Sequence, residues 1–263
     1  SNSVEQEMKA HIVATLSRVA ADEGVRILYA AESGSRAWGF ASPDSDYDVR
    51  FIYAHPKAWY LSLAEERDVI ERPLDDKLVD LGGWDVRKAL RLTLKSNPAF
   101  YEWLTSPIVY VDDGVFRSAA KTHFERNANP DVLTQAYISI AKSQFSGASD
   151  TEALFKLKRY FYALRPIMAA HWIRDRQTLP PMNLQAMLAG VTIPDAVRAA
   201  TSELLQRKKG TTELGQGPRI RVLDEWLKDQ IAAFSAPSQA VPLPAANLAL
   251  AEANTVFWEN VGL

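Results

Sequence analysis

The chain has 263 residues, of which 47% are hydrophobic and 24% charged, as in globular proteins large enough to bury a substantial core. Lys and Arg total 30 against 32 Asp and Glu, so the net charge of −2 excludes a bulk positive field and requires any polynucleotide site to be a local patch. The absence of cysteine excludes disulfides and thiolate sites and favours the cytoplasm, and no apolar run is long enough for a membrane span.

The first 112 residues alternate between helical and strand patterns. The spacing of apolar residues predicts a helix over residues 4–21, stopped by Gly24. Asp85 and Asn97-Pro98 are typical N-terminal signals for helices over 86–94 and 99–104. Short apolar and β-branched runs predict strands over 25–30, 49–53, 68–70, 77–81 and 108–111.

From residue 113 onward the pattern is almost wholly helical. Helices are predicted over 115–124, 132–145, 152–175, 184–188, 196–207, 220–234 and 247–256. A proline-containing connector covers residues 236–245. The chain is therefore predicted to be an α+β protein, with a small mixed sheet and flanking helices in a domain over residues 1–112 and an α-helical domain over 113–263.

The segment from the first predicted strand to the second carries the strongest chemical signal. Gly34 allows backbone amides to approach an anion, Ser35 adds a hydroxyl donor, and a short helix opening there would direct its positive end to the same place. Asp46 and Asp48 share one face of the next strand at roughly 6.5 Å along it. Mg²⁺ favours one or two such carboxylates together with substrate phosphates.

This order of an apolar strand, Gly-Ser, a short spacer and Asp-x-Asp resembles the nucleotidyltransferase superfamily related to DNA polymerase beta. Within it, the segment 34–51 is similar to the predicted nucleotidyltransferases of the YcgL and RNA-ligase-associated type. The blocks at 81–92, 95–98, 102–107 and 156–166 extend that resemblance over about residues 26 to 230. The resemblance implies a nucleotidyltransferase sheet, with a helical domain that closes the nucleotide site.

The superfamily's third carboxylate lies on a neighbouring strand, and Asp80 is the candidate here. The alternation of residues 78–81 sets Asp80 on a different face from Val79 and Leu81. By the resemblance it would help the attacking hydroxyl or share a second metal. Asp76 and Asp85 remain alternatives, although Asp85 also serves as a helix cap.

Basic and aromatic residues elsewhere are candidates for contacts with the nucleotide. Arg36 lies beside the Gly-Ser turn, and Lys88 lies on the helix after Asp80. In residues 156–165, Lys158, Tyr162 and Arg165 form one helical stripe facing away from the apolar positions. These cations would neutralise the leaving pyrophosphate, and the tyrosine would stack on the base.

The resulting hypothesis is an enzyme that transfers NMP from an NTP to an acceptor hydroxyl, using Mg²⁺ or Mn²⁺ and releasing pyrophosphate. The metal would lie on Asp46, Asp48 and Asp80. The family's association with RNA ligases favours an RNA end as acceptor, with a small molecule or a protein as alternatives and no membrane partner. Two other hypotheses remain: a non-catalytic NTP-binding module, and a protein-modifying enzyme of toxin-antitoxin type.

Overall fold

The computed structural model describes residues 2–145, 154–210, 214–235 and 246–263. The chain divides into two compact units, which are described separately. Unit 1 comprises residues 1–37, 46–128 and 243–263. Unit 2 comprises residues 38–45 and 129–242.

Unit 1 contains a five-stranded mixed sheet, which confirms the predicted α+β class. Its strands are β1 (Arg26–Glu32), β2 (Tyr47–Ala54), β3 (Val69–Arg72), β4 (Val79–Asp85) and β5 (Val109–Asp112). The spatial order is β3-β4-β2-β1-β5. β2 and β4 run parallel, and the other neighbouring pairs are antiparallel. Every predicted strand is present, within a few residues of its predicted bounds.

Helices cover both faces of this sheet. They are α1 (Asn2–Glu23), α2 (Gly34–Trp38), α3 (Lys57–Tyr60), α4 (Val86–Leu94), α5 (Pro98–Leu104), α6 (Phe116–Asn127) and, after unit 2, α12 (Ala246–Val261). Apolar residues of α1 pack with Val49, Phe51 and Leu81 on one face. Residues of α4, α5, α6 and α12 pack with Leu28 and Ile52 on the other. Successive side chains of β2 thus pack alternately into two separate hydrophobic core layers, one on each face of the sheet.

The predicted caps in unit 1 are confirmed. The Asp85 side chain accepts a hydrogen bond from the backbone N–H of Arg87 at 2.9 Å, at the start of α4. The Asn97 side chain accepts one from the N–H of Phe100 at 3.1 Å, at the start of α5. Each satisfies a donor that the first helical turn leaves unpaired.

Unit 2 is largely helical. Its elements are α7 (Pro130–Phe145), β6 (Phe155–Lys156), α8 (Lys158–Arg176), α9 (Leu184–Gly190), α10 (Asp195–Gly210), β7 (Gln216–Gly217) and α11 (Arg221–Phe234). The helix predicted from residue 152 begins at Lys158 instead, because Phe155 and Lys156 pair with β7. Residues 152–153, where that prediction began, and the predicted connector 236–245 lie outside the described residues.

The observed division differs from the predicted boundary at residue 112. α6 packs on β1, and α12 packs on α4 and α6, so both helices belong with the sheet. Residues 38–45, within the predicted catalytic domain, belong with unit 2. Sequence order conceals this arrangement because the chain leaves unit 1 and returns to it. In the described ranges, no helix is long and apolar enough to cross a membrane.

Candidate active site

The Gly-Ser turn is joined directly to the strand that carries the carboxylates. Ser33, which follows β1, donates from its backbone N–H and from its hydroxyl to the carbonyl oxygen of Asp48, at 2.8 and 3.0 Å. Gly34 has φ of +61° and opens α2. A Cβ added at Gly34 would lie 2.4 Å from Oδ2 of Asp48. Both the left-handed backbone and this close approach require glycine, so the turn and the carboxylate form one packed unit.

Asp48 and Asp80 are direct neighbours on parallel strands. They are register partners in the pairing of β2 with β4, so their side chains leave the same face of the sheet. Burial is the largest cause that raises the pKa of Asp48 above its ordinary value. The negative charges of Asp80 and Asp46 act in the same direction, while Arg50 opposes them. Burial and like charge thus make a positive ligand favourable here.

Arg50 is a member of this site that the sequence analysis did not identify. Its Nη2 lies 2.9 Å from Oδ2 of Asp80 and 3.9 Å from Oδ1 of Asp48. Its Nη1 also donates to the carbonyl oxygen of Val49 at 3.0 Å. The signal was present, because Arg50 continues the two-residue period of Asp46 and Asp48 along one strand face.

Glu32 is a second member that was missed. It is fully buried at the end of β1. Its carboxylate accepts hydrogen bonds from the backbone N–H of Asp48 at 2.7 Å and from the hydroxyl of Tyr110 at 2.5 Å. Burial raises the pKa of Glu32 to about 7, while these hydrogen bonds oppose the shift. A charged residue at the end of an otherwise apolar strand is the only signal in the sequence.

The donor set suits a divalent cation of the Mg²⁺ type. Across the described ranges, no three His, Asp or Glu side chains are gathered closely enough to be ligands as they stand. Mg²⁺, however, usually takes one or two carboxylates and completes its shell with water and phosphate oxygens. Asp48 and Asp80 supply such an oxygen pair at matched positions on adjacent strands, and the charge of Asp46 acts on the same carboxylate.

A cavity of about 620 Å³ extends over the sheet from Asp80. Gly82 adds no side chain to the face of β4 that carries Asp80, and Trp84 and Trp103 form an aromatic wall of the cavity. Each arginine in its lining is matched by a carboxylate. Arg50 pairs with Asp80, and the other pairs are Arg67–Glu71 at 2.6 Å and Arg72–Glu23 at 2.8 Å.

The alternatives for the third carboxylate lie elsewhere. Asp85 is fully buried at the other end of β4, where it caps α4 and accepts a hydrogen bond from the Tyr60 hydroxyl at 2.6 Å. Asp76 is exposed in the turn before β4. Only Asp80 of these three is the register partner of Asp48.

Of the predicted nucleotide contacts in unit 1, Arg36 lies beside the site and Lys88 does not. The Arg36 guanidinium stacks 3.8 Å from the centre of the Tyr47 ring, and its Nε donates to the carbonyl oxygen of Asp46 at 3.3 Å. Lys88 follows the far end of β4 and pairs with Asp68 at 3.4 Å. Asp80 and Asp85 are five positions apart along the strand, roughly 16 Å. Lys88 therefore lies away from Asp80, and its predicted contact with the nucleotide stays a prediction.

The predicted stripe on α8 belongs to unit 2 and is exposed only in part. Lys158 is exposed and Tyr162 half-buried, with its ring 5.6 Å from Trp38. Arg165 is 3% exposed, its guanidinium 4.5 Å from the Trp38 ring and bonded to the carbonyl oxygen of Met182 at 3.3 Å. Arg165 is therefore buried against Trp38 and Met182, and its predicted contact with the nucleotide stays a prediction.

Three comparisons bear on this arrangement. Residues 8–259 match the family RlaP, described as the RNA repair pathway DNA polymerase beta family. The chain is 42% identical over 226 residues to YcgL of Bacillus subtilis (strain 168), described as uncharacterized, with 85% of each chain covered. A solved nucleotidyltransferase-like protein from Exiguobacterium sibiricum 255-15 is 12% identical, with a TM-score of 0.33 over 96% of this chain and 79% of that chain.

Proposed function

The chain belongs to the RlaP family, the RNA repair pathway DNA polymerase beta family, and is a nucleotidyltransferase; from that premise we propose that it transfers NMP from an NTP to an RNA end. The observation that carries the proposal is the register of Asp48 with Asp80, together with the Gly34 backbone packed against the Asp48 carboxylate. These contacts join a phosphate-binding turn to a pair of oxygen ligands.

In this proposal the Gly34-Ser35 turn at the start of α2 receives the triphosphate, and Arg36 adds positive charge beside it. Asp46, Asp48 and Asp80 would hold Mg²⁺ or Mn²⁺, which when bound neutralises charge on the phosphates. Arg50 balances the paired carboxylates at the distances given above. Glu32 and Ser33 hold the backbone of Asp48 in place through its N–H and carbonyl groups.

The reaction would be an in-line displacement at the α-phosphorus. The acceptor oxygen forms the new bond to phosphorus, while the bond from the α-phosphorus to the bridging oxygen breaks and pyrophosphate leaves. The hydroxyl proton passes to Asp80. The cavity that begins at Asp80 leaves room for the acceptor hydroxyl beside the carboxylates.

The decisive experiment measures transfer of α-labelled NTPs to pooled RNA by the whole protein, with Mg²⁺ or Mn²⁺. We expect labelled RNA, and we expect Asp46→Asn and Asp48→Asn each to lower the rate at least about 100-fold, as for loss of a group that stabilises transition-state charge. Asp76→Asn, which removes an exposed carboxylate outside the site, is the matched control and should retain the activity.

Each other outcome contradicts a defined part of the proposal. Full activity in either Asp46→Asn or Asp48→Asn would refute the mechanism. Label on a protein band in a lysate, with none on RNA, would replace the acceptor by a protein. NTP binding without transfer to RNA, protein or a small molecule would indicate a non-catalytic NTP-binding module.

A further inference from the structure

Unit 2 contains a basic groove made of two adjoining cavities. One, of about 210 Å³, is lined by Ser42, Lys208 and Gly215 among others. The second, of about 690 Å³, includes Arg159 and Tyr162. Lys156, Lys158 and Gln216 line both cavities, which are therefore adjacent and are together called the basic groove below.

The short strand pair determines which side chains reach this groove. Lys156 pairs with Gln216 and Phe155 with Gly217 between β6 and β7. Phe155 and Leu157 are buried, and a Cβ at Gly217 would lie 2.9 Å from Leu157. The alternation therefore sends the apolar residues inward, while Lys156 and Lys158 stay exposed.

Three cations of the basic groove, Lys156, Lys158 and Arg159, differ from three arginines elsewhere in unit 2. Arg219, Arg174 and Arg221 each pair with a carboxylate, at 2.9, 2.7 and 2.6 Å. Within residues 154–210 and 214–235, no carboxylate lines the groove or lies within salt-bridge distance of Lys156, Lys158 or Arg159. Lys208 adds a further charge, with its Nζ 5.0 Å from the Phe40 ring.

The charge of the whole unit agrees with this local pattern. Unit 2 contains 14 Lys and Arg against 11 Asp and Glu, a formal charge of +3. Unit 1 contains 16 against 21, a formal charge of −5. Lys156, Lys158 and Arg159 have no carboxylate partner among the described residues, so this concave surface attracts phosphates, and the half-buried Tyr162 offers a ring for a base.

We propose that the basic groove binds the backbone phosphates of single-stranded RNA, the acceptor strand of the proposed reaction. The inference rests on the proposed function only for the strand's role as acceptor. A free triphosphate offers the same phosphate chemistry. The backbone is favoured because the Gly34-Ser35 turn of unit 1 already provides the proposed triphosphate site, and because Tyr162 allows a neighbouring base to stack.

Fluorescence anisotropy with a labelled oligouridylate, without metal or NTP, tests this on the full chain. Lys156→Ala/Lys158→Ala should weaken binding about tenfold or more and lower the slope of log K against log salt by about 1.4, or about 0.7 for each phosphate contact on a single strand. Lys142→Ala/Lys209→Ala removes two exposed lysines of the same unit that do not line the groove, and should change the affinity less than about twofold.

A competition arm distinguishes the two sources of phosphate. Inorganic tripolyphosphate should displace the labelled strand far less effectively than unlabelled oligouridylate. Equal competition, or a loss of ATP affinity in Lys156→Ala/Lys158→Ala as large as the loss of RNA affinity, would assign the groove to a free triphosphate. Unchanged RNA binding in that variant, with an unaltered thermal melt, would overturn the inference. The anisotropy assay measures RNA binding without nucleotidyl transfer. It therefore tests the groove even if the proposed transfer reaction is not observed.

Discussion

The cavity at Asp80 in unit 1 and the basic groove in unit 2 differ in how their positive charges are compensated. In unit 1, the arginines lining the cavity at Asp80 are each matched by a carboxylate of the same unit. In unit 2, Lys156, Lys158 and Arg159 have no carboxylate partner among the residues that the structure describes. Pairing of arginines with carboxylates holds these side chains in one geometry, as a reacting centre requires. Cations without a carboxylate partner remain able to bind an anionic ligand.

The largest expected effect tests whether Asp80 belongs to the reacting centre. Asp80→Asn keeps the shape of the side chain but halves the charge paired with Arg50, since Asp48 remains. We expect the rate of transfer to fall at least about 100-fold, with little change in the thermal melt. This loss would exceed the 10- to 100-fold losses that follow mutation of residues that contact metal ligands without touching the metal. Rates for Asp80→Asn and Asp76→Asn are measured together. Near-equal rates would remove Asp80 from the site.

Glu32 is expected to act as a positioning residue for β2, the strand that carries Asp48. Glu32→Ala leaves two buried donors, the Asp48 N–H and the Tyr110 hydroxyl, without their acceptor. We expect transfer to fall about 10- to 100-fold, while Glu32→Gln, which keeps one acceptor oxygen, restores most of it. Comparing the two variants at equal folded concentration is the check. Equal losses in both would mean that the charge of Glu32, rather than its position, is needed.

The buried Glu32 also predicts a pH dependence of stability. Its pKa is raised to about 7 in the folded chain from 4.5, so the native state holds this proton between these values and the unfolded state releases it. The stability from this group is present below about pH 4.5 and is lost as pH rises through about 7, by up to about 3 kcal/mol. Urea melts across that range should show a smaller decline for Glu32→Gln than for the wild type. Parallel pH curves would contradict the expectation.

A smaller effect tests whether the two units unfold independently. A Cβ at Gly83 would lie 2.3 Å from the Phe51 ring, which is fully buried in unit 1, so Gly83→Ala should cost about 1–3 kcal/mol. Hydrogen exchange should accelerate in β2 and β4 and remain unchanged in α7 and α8. Gly210→Ala in α10 meets nothing within 4 Å and is the matched control. Equal acceleration in both units would show one cooperative unfolding.

The features of this chain that could be predicted from the sequence are those formed by residues close together in the chain. The caps at Asp85 and Asn97 depend on groups within three residues, and both were predicted. The five strands followed from short apolar runs, and the placement of Asp80 on the polar face followed from alternation. Arg50 obeys the same alternation, but alternation alone does not distinguish an arginine that pairs with carboxylates on neighbouring strands from one that faces solvent.

Features that depend on contacts between segments far apart in the chain could be identified only from the tertiary structure. The role of Glu32 depends on Tyr110 and Asp48, which lie 78 and 16 residues away. The burial of Arg165 depends on Trp38 and Met182, and the start of α8 depends on the pairing of residues 155–156 with 216–217. Periodicity reports which face a residue occupies, but it carries no information about which segment covers that face.

The sequence by itself determined the type of fold and the chemical core of the site, because the Gly-Ser turn and the alternating aspartates lie within a single stretch of chain. Only the tertiary structure decided that Asp80 is the register partner of Asp48, that Arg50 spans the pair, and that α6 and α12 belong with the sheet. The physical reason is that strand pairing and burial join segments far apart in the chain, and local patterns do not encode the partner.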